Sequence, residues 1–246
     1  MTRYVSFPLA LATALTLSLS ACGGDDDKKD AGTPLTTPTP SATPSTPAPT
    51  ATSTVPVTRT AAELTKALLE LSDLPSGFSQ EKDEPDDGSK PFSSPTSRCK
   101  TLVKYLNATK APGSKASVTR TFSGGQEGPY IDYGLDSMGT ADEVADLRDS
   151  YADAVDSCTK VTLKTEGSGN TSMKVEKVIA PAYGTKPFAF HLTGTSGPKR
   201  GLEYTAVVTG VDDVILSIGV LASDGAELDP ATEAAVTKAR QVLKPA

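Results

Sequence analysis

Apolar residues at helical spacing predict four helices in the part of the chain that begins at residue 60. Thr60 and Glu63 form a capping-box pattern ahead of the first helix, and Thr140 opens the third in the same way. Asp229, followed by Pro230, begins the last helix. The residues expected to face inward are, helix by helix, Leu64, Leu68 and Leu71; Cys99, Leu102, Val103 and Leu106; Val144, Leu147, Tyr151, Ala154, Val155 and Cys158; and Ala235, Ala239, Val242 and Leu243.

Alternation of apolar and polar residues predicts strands between these helices. In one of them, Ile131 and Tyr133 alternate with Asp132 and Gly134, so one face is expected to be core and the other wet. The segment 210–213 separates the last two strands and predicts a hairpin turn. The predicted strands span residues 117–124, 130–137, 161–164, 173–179, 188–193, 202–209 and 214–221.

Strands in hairpins, with helices before, between and after them, indicate an α+β fold. We expect a largely antiparallel β-sheet covered by helices on one side and preceded by a disordered tether. The predicted organisation is a lipoprotein signal peptide at 1–21, a lipidated Thr/Pro/Ser-rich tether at 22–59, and an extracytoplasmic α+β domain at 60–246.

The N-terminal segment has the pattern of an export signal. Arg3 precedes an apolar run from Val5 to Leu19, and a helix of that length covers only ~22 Å of a hydrocarbon core of ~30 Å. Leu19-Ser20-Ala21-Cys22 resembles the bacterial lipobox, in which the cysteine is acylated and becomes the first residue of the mature chain. The alternative is an ordinary secretory signal with a coincidental cysteine. The lipobox interpretation predicts lipidation, palmitate included, at Cys22 and anchoring on the outer face of the plasma membrane.

The segment that follows Cys22 predicts a spacer. Thr, Pro and Ser dominate it, and large apolar side chains are scarce, so it lacks the residues for a core. In an extended polyproline conformation, at ~3.1 Å per residue, it would hold the domain up to ~80 Å from the membrane.

Net charge and composition narrow the choice of partners. The chain carries a net charge of −6 and no run of Lys and Arg, which argues against nucleic acid and anionic lipid headgroups. It contains no Trp, which weighs against a carbohydrate-binding role. The membrane is therefore expected as a partner only through the lipid on Cys22.

Cysteine usage fits an exported protein. With Cys22 taken by lipid, Cys99 and Cys158 are left as a pair, which in an oxidising compartment usually forms a disulfide. A metal or redox pair is the alternative, but 58 intervening residues are not ligand spacing and there is no Cys-x-x-Cys motif. Closing a loop of this length stabilises a fold by ~4 kcal/mol in the chain-entropy model.

The sequence assigns no catalytic, cofactor or metal-binding residue. His191, the single histidine, is expected on the less buried face of its strand, and no Gly-x-Ser-x-Gly elbow accompanies it. The acidic run from Asp83 to Asp87 suggests a calcium loop, but Pro85 and Ser94 occupy positions where ligands are needed. An acidic pair of a hydrolase is not distinguished among the many carboxylates, so no cofactor is expected and an enzyme is not favoured.

The last hairpin contains a candidate ligand groove. Gly219 interrupts an apolar strand, and a mid-strand glycine marks a bulge or the close approach of another group. Tyr204 and Tyr183 are expected at the rim of such a groove. Ordinary core packing of the hairpin is the alternative.

The order of these features resembles a known family. The segment from Leu68 to Phe78, a helix-borne Cys99, two strands and a helix that closes on Cys158 are similar to the extracellular sensor domain of PknH-type mycobacterial kinases. That domain also occurs on actinobacterial lipoproteins. The resemblance implies an α+β fold with a cleft for an unidentified ligand outside the cell. Kinase-linked members carry two disulfides, whereas this chain has cysteines for one.

Two functions follow from these observations. One is a non-catalytic sensor or binding domain for a small envelope ligand. The other is a structural lipoprotein that docks another envelope protein. A concave cleft would favour the first, and a flat apolar patch would favour the second.

Overall fold

The computed structural model describes residues 56–57, 59–82, 88–126, 128–222 and 226–244. The signal peptide, Cys22, nearly all of the tether and the acidic run 83–87 lie outside these residues.

Nine strands of the described chain form one sheet with every neighbouring pair antiparallel, in the order β1-β3-β4-β9-β8-β7-β6-β5-β2. Strands β5 to β9 follow one another as hairpins, and β9 pairs with β4 to join the β3–β4 hairpin to them. The strands are β1 (Ser79–Gln80), β2 (Phe92–Ser93), β3 (Ala116–Ser123), β4 (Tyr130–Ser137), β5 (Lys160–Thr165), β6 (Gly169–Val178), β7 (Thr185–Ser196), β8 (Glu203–Val211) and β9 (Val214–Leu221).

Four α-helices accompany the sheet within the described residues: α1 (Ala61–Ala67), α2 (Lys100–Leu106), α3 (Ala141–Ser157) and α4 (Leu228–Val242). Thr60 caps α1 as predicted, since its hydroxyl accepts the Glu63 amide and the Glu63 carboxylate accepts the Thr60 amide. Helix α1 is shorter than expected because Leu68 already has an extended backbone. Leu71, predicted to face inward, is therefore 46% exposed.

Two hydrophobic cores lie on opposite faces of the sheet. On the first face, α1 and α4 pack against β4, β8 and β9 through residues such as Tyr133, Val207 and Leu216. On the second face, α2 and α3 pack against β5 to β9 through residues such as Val161 and Phe190. Both faces of the sheet thus have a helical cover over part of their area.

The structure confirms the α+β fold and the antiparallel sheet but corrects the expectation of helices on one side. Helices lie on both faces because β9 is apolar on both, with Leu216 and Ile218 on the first face and Ile215 on the second. A strand that is apolar on two faces is buried only when both are covered. Val242, expected to face inward, is 40% exposed because Ala239 and Leu243 form the buried stripe of α4.

The predicted disulfide joins Cys99, just before α2, to Cys158 at the end of α3. Both cysteines are buried, at 3% and 1% exposure. The bond fastens the two helices that cover the second face.

Candidate functional site

Helices α2 and α3 leave part of the second face uncovered by any described helix. Thr121, Asp132 and Gly219 are consecutive partners across β3, β4 and β9, and Gly134 pairs with Ser217 in the adjacent row. Strand alternation places all five side-chain positions on the second face. We call this set (Thr121, Asp132, Gly134, Ser217 and Gly219) the polar floor.

Asp132 is the one carboxylate of the polar floor. It lies exposed at the surface, and the Thr121 hydroxyl donates a hydrogen bond of 2.9 Å to it. Desolvation by the surrounding strands raises the pKa of Asp132, and the hydrogen bond from Thr121 offsets only part of this effect. The side chain is nevertheless exposed, so the carboxylate is available to an incoming donor.

Tyr204 forms one wall beside the polar floor. Its ring lies over Gly219, where an added Cβ would collide with the Tyr204 hydroxyl and with ring carbons at 2.7 Å. Burial raises the pKa of Tyr204, and the charge of Asp132 raises it further, so the phenol stays protonated. Only glycine at position 219 allows this ring position.

A row of aromatic rings continues from Tyr204 across the second face to the helices. Successive ring centroids are 6.4 Å apart for Tyr204–Phe190, 6.5 Å for Phe190–Phe188, 6.3 Å for Phe188–Tyr151 and 4.1 Å for Tyr151–Tyr105. The polar floor therefore lies beside a row of aromatic rings that connects β8 with α3 and α2, and in this row Phe188 and Phe190 are buried in the core of the second face.

A separate cleft of about 460 Å³ lies along the outer edge of β3. Thr65 of α1 and Leu68, which follows the helix, contribute to its walls, and the loop after α2 contributes Thr109 and Lys110. The remaining lining residues are Gln80, Ser117, Val118, Thr119 and Arg120. We call this cavity the edge cleft.

The structure brings together two of the three residues predicted for the ligand groove. Tyr204 and Gly219 are in contact, whereas Tyr183 packs against the core of the first face, beside Asp229 and Glu233 of α4. Tyr183 thus lies apart from the other two. Sequence reasoning noted the alternation around Asp132 but did not connect it with Gly219, because the pairing of β4 with β9 is a long-range contact.

The other candidate considered from the sequence, His191, is not part of a binding site formed by the described residues. His191 lies on the first face, opposite Phe190 and Leu192, and its Nδ1 is 2.7 Å from the Thr205 hydroxyl. No group of three or more His, Cys, Asp or Glu side chains is arranged for a metal ion among the described residues. In the same part of the chain, no helix is long and apolar enough to cross a membrane.

The features above define an α+β domain whose antiparallel sheet carries a disulfide-linked helix pair on one face and a second helix pair on the other. No protein-family model matches the sequence, and no curated protein sequence matches it. Among solved structures, the fold is similar to the crystal structure of the extracellular domain of PknH from Mycobacterium tuberculosis, with a TM-score of 0.56. The two share 16% identity over 77% of this chain and 98% of that chain. The chain therefore has a PknH-like fold, and at this identity the likeness concerns the fold alone.

Proposed function

We propose that the protein is a lipoprotein of the outer face of the plasma membrane whose domain binds a small envelope ligand without transforming it. The polar floor is the observation that carries the proposal. Asp132, Thr121 and Ser217 offer hydrogen-bonding groups there, and the glycine at position 219 leaves room for the Tyr204 ring beside them.

The composition of the site indicates the chemistry of the ligand. An exposed carboxylate favours a ligand that carries hydrogen-bond donors, such as hydroxyl or amino groups. The ring of Tyr204, the member of the aromatic row that lies beside the polar floor, favours an apolar or ring-bearing portion on the same molecule. The fold likeness to an extracellular domain supports the location outside the cell, and Leu19-Ser20-Ala21-Cys22 supports the lipid anchor.

The test is native mass spectrometry of the full chain, purified from the envelope fraction of the cells that naturally produce it. We expect a stoichiometric small-molecule adduct on the wild type and its loss in Asp132→Ala. Glu176→Ala is the matched control, because Glu176 is an exposed acid on the first face, opposite His191 in the pairing of β6 with β7. An adduct that survives Asp132→Ala, or a wild type without any adduct, would refute the proposal.

A further inference from the structure

The outer edge of β3 is unpaired over half of its length within the described residues. Strand β1 pairs with Phe122 and Ser123, and the Glu81 amide donates to the Thr121 carbonyl at 2.9 Å. From Ser117 to Arg120, the described chain places no strand on this side.

The direction of the main-chain groups along this edge follows from the ladder. In an antiparallel strand, the N–H and C=O groups of alternate residues point to the same side. Since Thr121 directs its carbonyl to the outer edge, Ser117 and Thr119 direct theirs there as well. The edge therefore presents donors and acceptors in the spacing that another strand requires.

The edge cleft encloses this stretch between two walls. Thr65 of α1 and Leu68, just after that helix, lie on one side and Thr109 and Lys110 on the other, with Gln80 also lining the cavity. Four strand residues span ~13 Å, so the cavity of about 460 Å³ suits a short extended segment. Because these residues enclose the edge on both sides, it can accept a single extended segment but not the edge of another sheet.

The charge of the residues that line the edge cleft indicates which kind of segment could bind there. Among the described residues that line it, the two charged ones, Lys110 and Arg120, are both cations, and the Arg120 guanidinium also donates to the Leu69 carbonyl at 2.5 Å. A second copy would present the same cations, Lys110 and Arg120, and so would offer no opposite charge to this edge. An acidic segment would meet opposite charge instead.

We propose that the outer edge of β3 docks an extended acidic segment of another envelope protein, which adds to the sheet as a further antiparallel strand. Main-chain hydrogen bonds to Ser117 and Thr119 would supply the pairing, and Lys110 and Arg120 would select acidic side chains. This site is distinct from the polar floor and does not depend on the small-ligand proposal.

The test uses the full chain and two fluorescein-labelled peptides, one of repeated Thr-Asp pairs and one of repeated Thr-Lys pairs. Fluorescence anisotropy should show saturable binding of the Thr-Asp peptide that weakens with salt, and no binding of the Thr-Lys peptide. Sedimentation velocity of the chain without peptide should show a monomer, since we do not expect two copies to pair through this edge.

The decisive variant is Thr119→Pro, compared with Thr119→Val. Proline removes the outward N–H of residue 119 and spares the hydrogen bonds to β4, since the even-numbered residues of β3 direct their N–H and C=O groups toward β4. We expect Thr119→Pro to weaken binding of the Thr-Asp peptide by about tenfold, and Thr119→Val, which keeps the N–H, to bind like the wild type. Lys110→Glu, on an exposed loop, provides an independent variant and should also weaken binding.

Several results would overturn the proposal. Equal affinity for both peptides, absence of binding, or unchanged affinity in both Thr119→Pro and Lys110→Glu would each do so. A dimer abolished by Thr119→Pro would assign the edge to a second copy. Binding that appears only after Asp83, Glu84, Asp86 and Asp87 are changed to their amides would assign the edge to the acidic run of the chain itself.

Discussion

Asp213, in the turn between β8 and β9, forms a buried ion pair with Arg59. The Arg59 Nε donates to the two carboxylate oxygens at 2.8 and 2.9 Å, and the Ser137 hydroxyl donates at 3.3 Å. The two side chains are only 10% and 5% exposed. Removing one partner of such a pair leaves the other charge buried without compensation.

We predict that Asp213→Ala lowers the free energy of unfolding by about 3–5 kcal/mol, because the Arg59 guanidinium loses its partner. Asp156→Ala is the matched control, since the Asp156–Lys177 pair has a similar distance of 2.9 Å but both side chains are 52% exposed. That control should lose less than ~1 kcal/mol. Urea unfolding of both variants measures the difference, and equal losses would show that burial does not set the strength of the Arg59 pair.

Asp136 in β4 is a buried carboxylate that accepts the Ala111 amide at 3.0 Å. Burial raises the pKa of Asp136, and the hydrogen bonds from Ala111 and Ser117 only partly lower it again. The folded state therefore holds this proton more tightly than the unfolded chain does. The stabilisation from the protonated carboxyl is complete below the ordinary pKa of 3.8 and is lost as the pH rises through the folded-state pKa.

We predict that Asp136→Asn is more stable relative to the wild type at about pH 7 than at about pH 3, because asparagine keeps an acceptor for Ala111 and does not ionise. Asp136→Ala should instead lose ~1–3 kcal/mol at both pH values, since the buried Ala111 amide is left without an acceptor. Urea unfolding at the two pH values tests both variants. A pH-independent difference between Asp136→Asn and the wild type would contradict the assignment.

At the scale of elements, local signals predicted most of the fold. The capping residues Thr60 and Thr140 begin α1 and α3 as expected, and β4 and β9 have the predicted bounds. Strands β1 and β2 were missed because each has two residues, and a pattern of that length carries no period. Their place in the sheet is set by partners far along the chain, namely β3 and β5.

The candidate site was predicted in part for the same reason. Gly219 stood out because a glycine interrupts an otherwise apolar strand, and its contact with Tyr204 lies within one hairpin. Tyr183 was misplaced because it precedes β7, where strand alternation does not fix the direction of a side chain. The contribution of Asp132 depends on the pairing of β4 with β9, which no local pattern specifies.

The disulfide links the two helices of the second face across 59 positions of sequence. We predict that replacing both Cys99 and Cys158 by Ala lowers the free energy of unfolding by about 4 kcal/mol, chiefly because the unfolded chain gains the entropy of an open loop. Urea unfolding of the wild type under reducing conditions is the control and should give the same loss. If reduction leaves the wild type unchanged, the bond does not contribute to stability.

At the scale of the whole molecule, Val57 and Arg59, among the first described residues, are attached to the domain by specific contacts. The Val57 amide donates to the Gly139 carbonyl at 2.7 Å, and Arg59 forms its ion pair with Asp213 two residues later. A lipid on Cys22 would therefore act on the domain through this junction. The 34 residues between Cys22 and Val57 are dominated by Thr, Pro and Ser, which is the composition of a spacer between the proposed anchor and the domain.

We predict that Cys22→Ala moves the protein from the membrane fraction to the soluble fraction, because stable anchoring needs at least two acyl chains. The variant lacking Cys99 and Cys158 is the control, since it loses two cysteines but keeps the lipobox. Fractionation in high salt should leave that control with the membranes if it is folded well enough to survive export. Cys22→Ala protein that still sediments with membranes in high salt would mean that another part of the chain makes the attachment. In that case the junction at Val57 and Arg59 would no longer be the point through which the membrane holds the domain, and the ligand site would have to be placed relative to a different anchor.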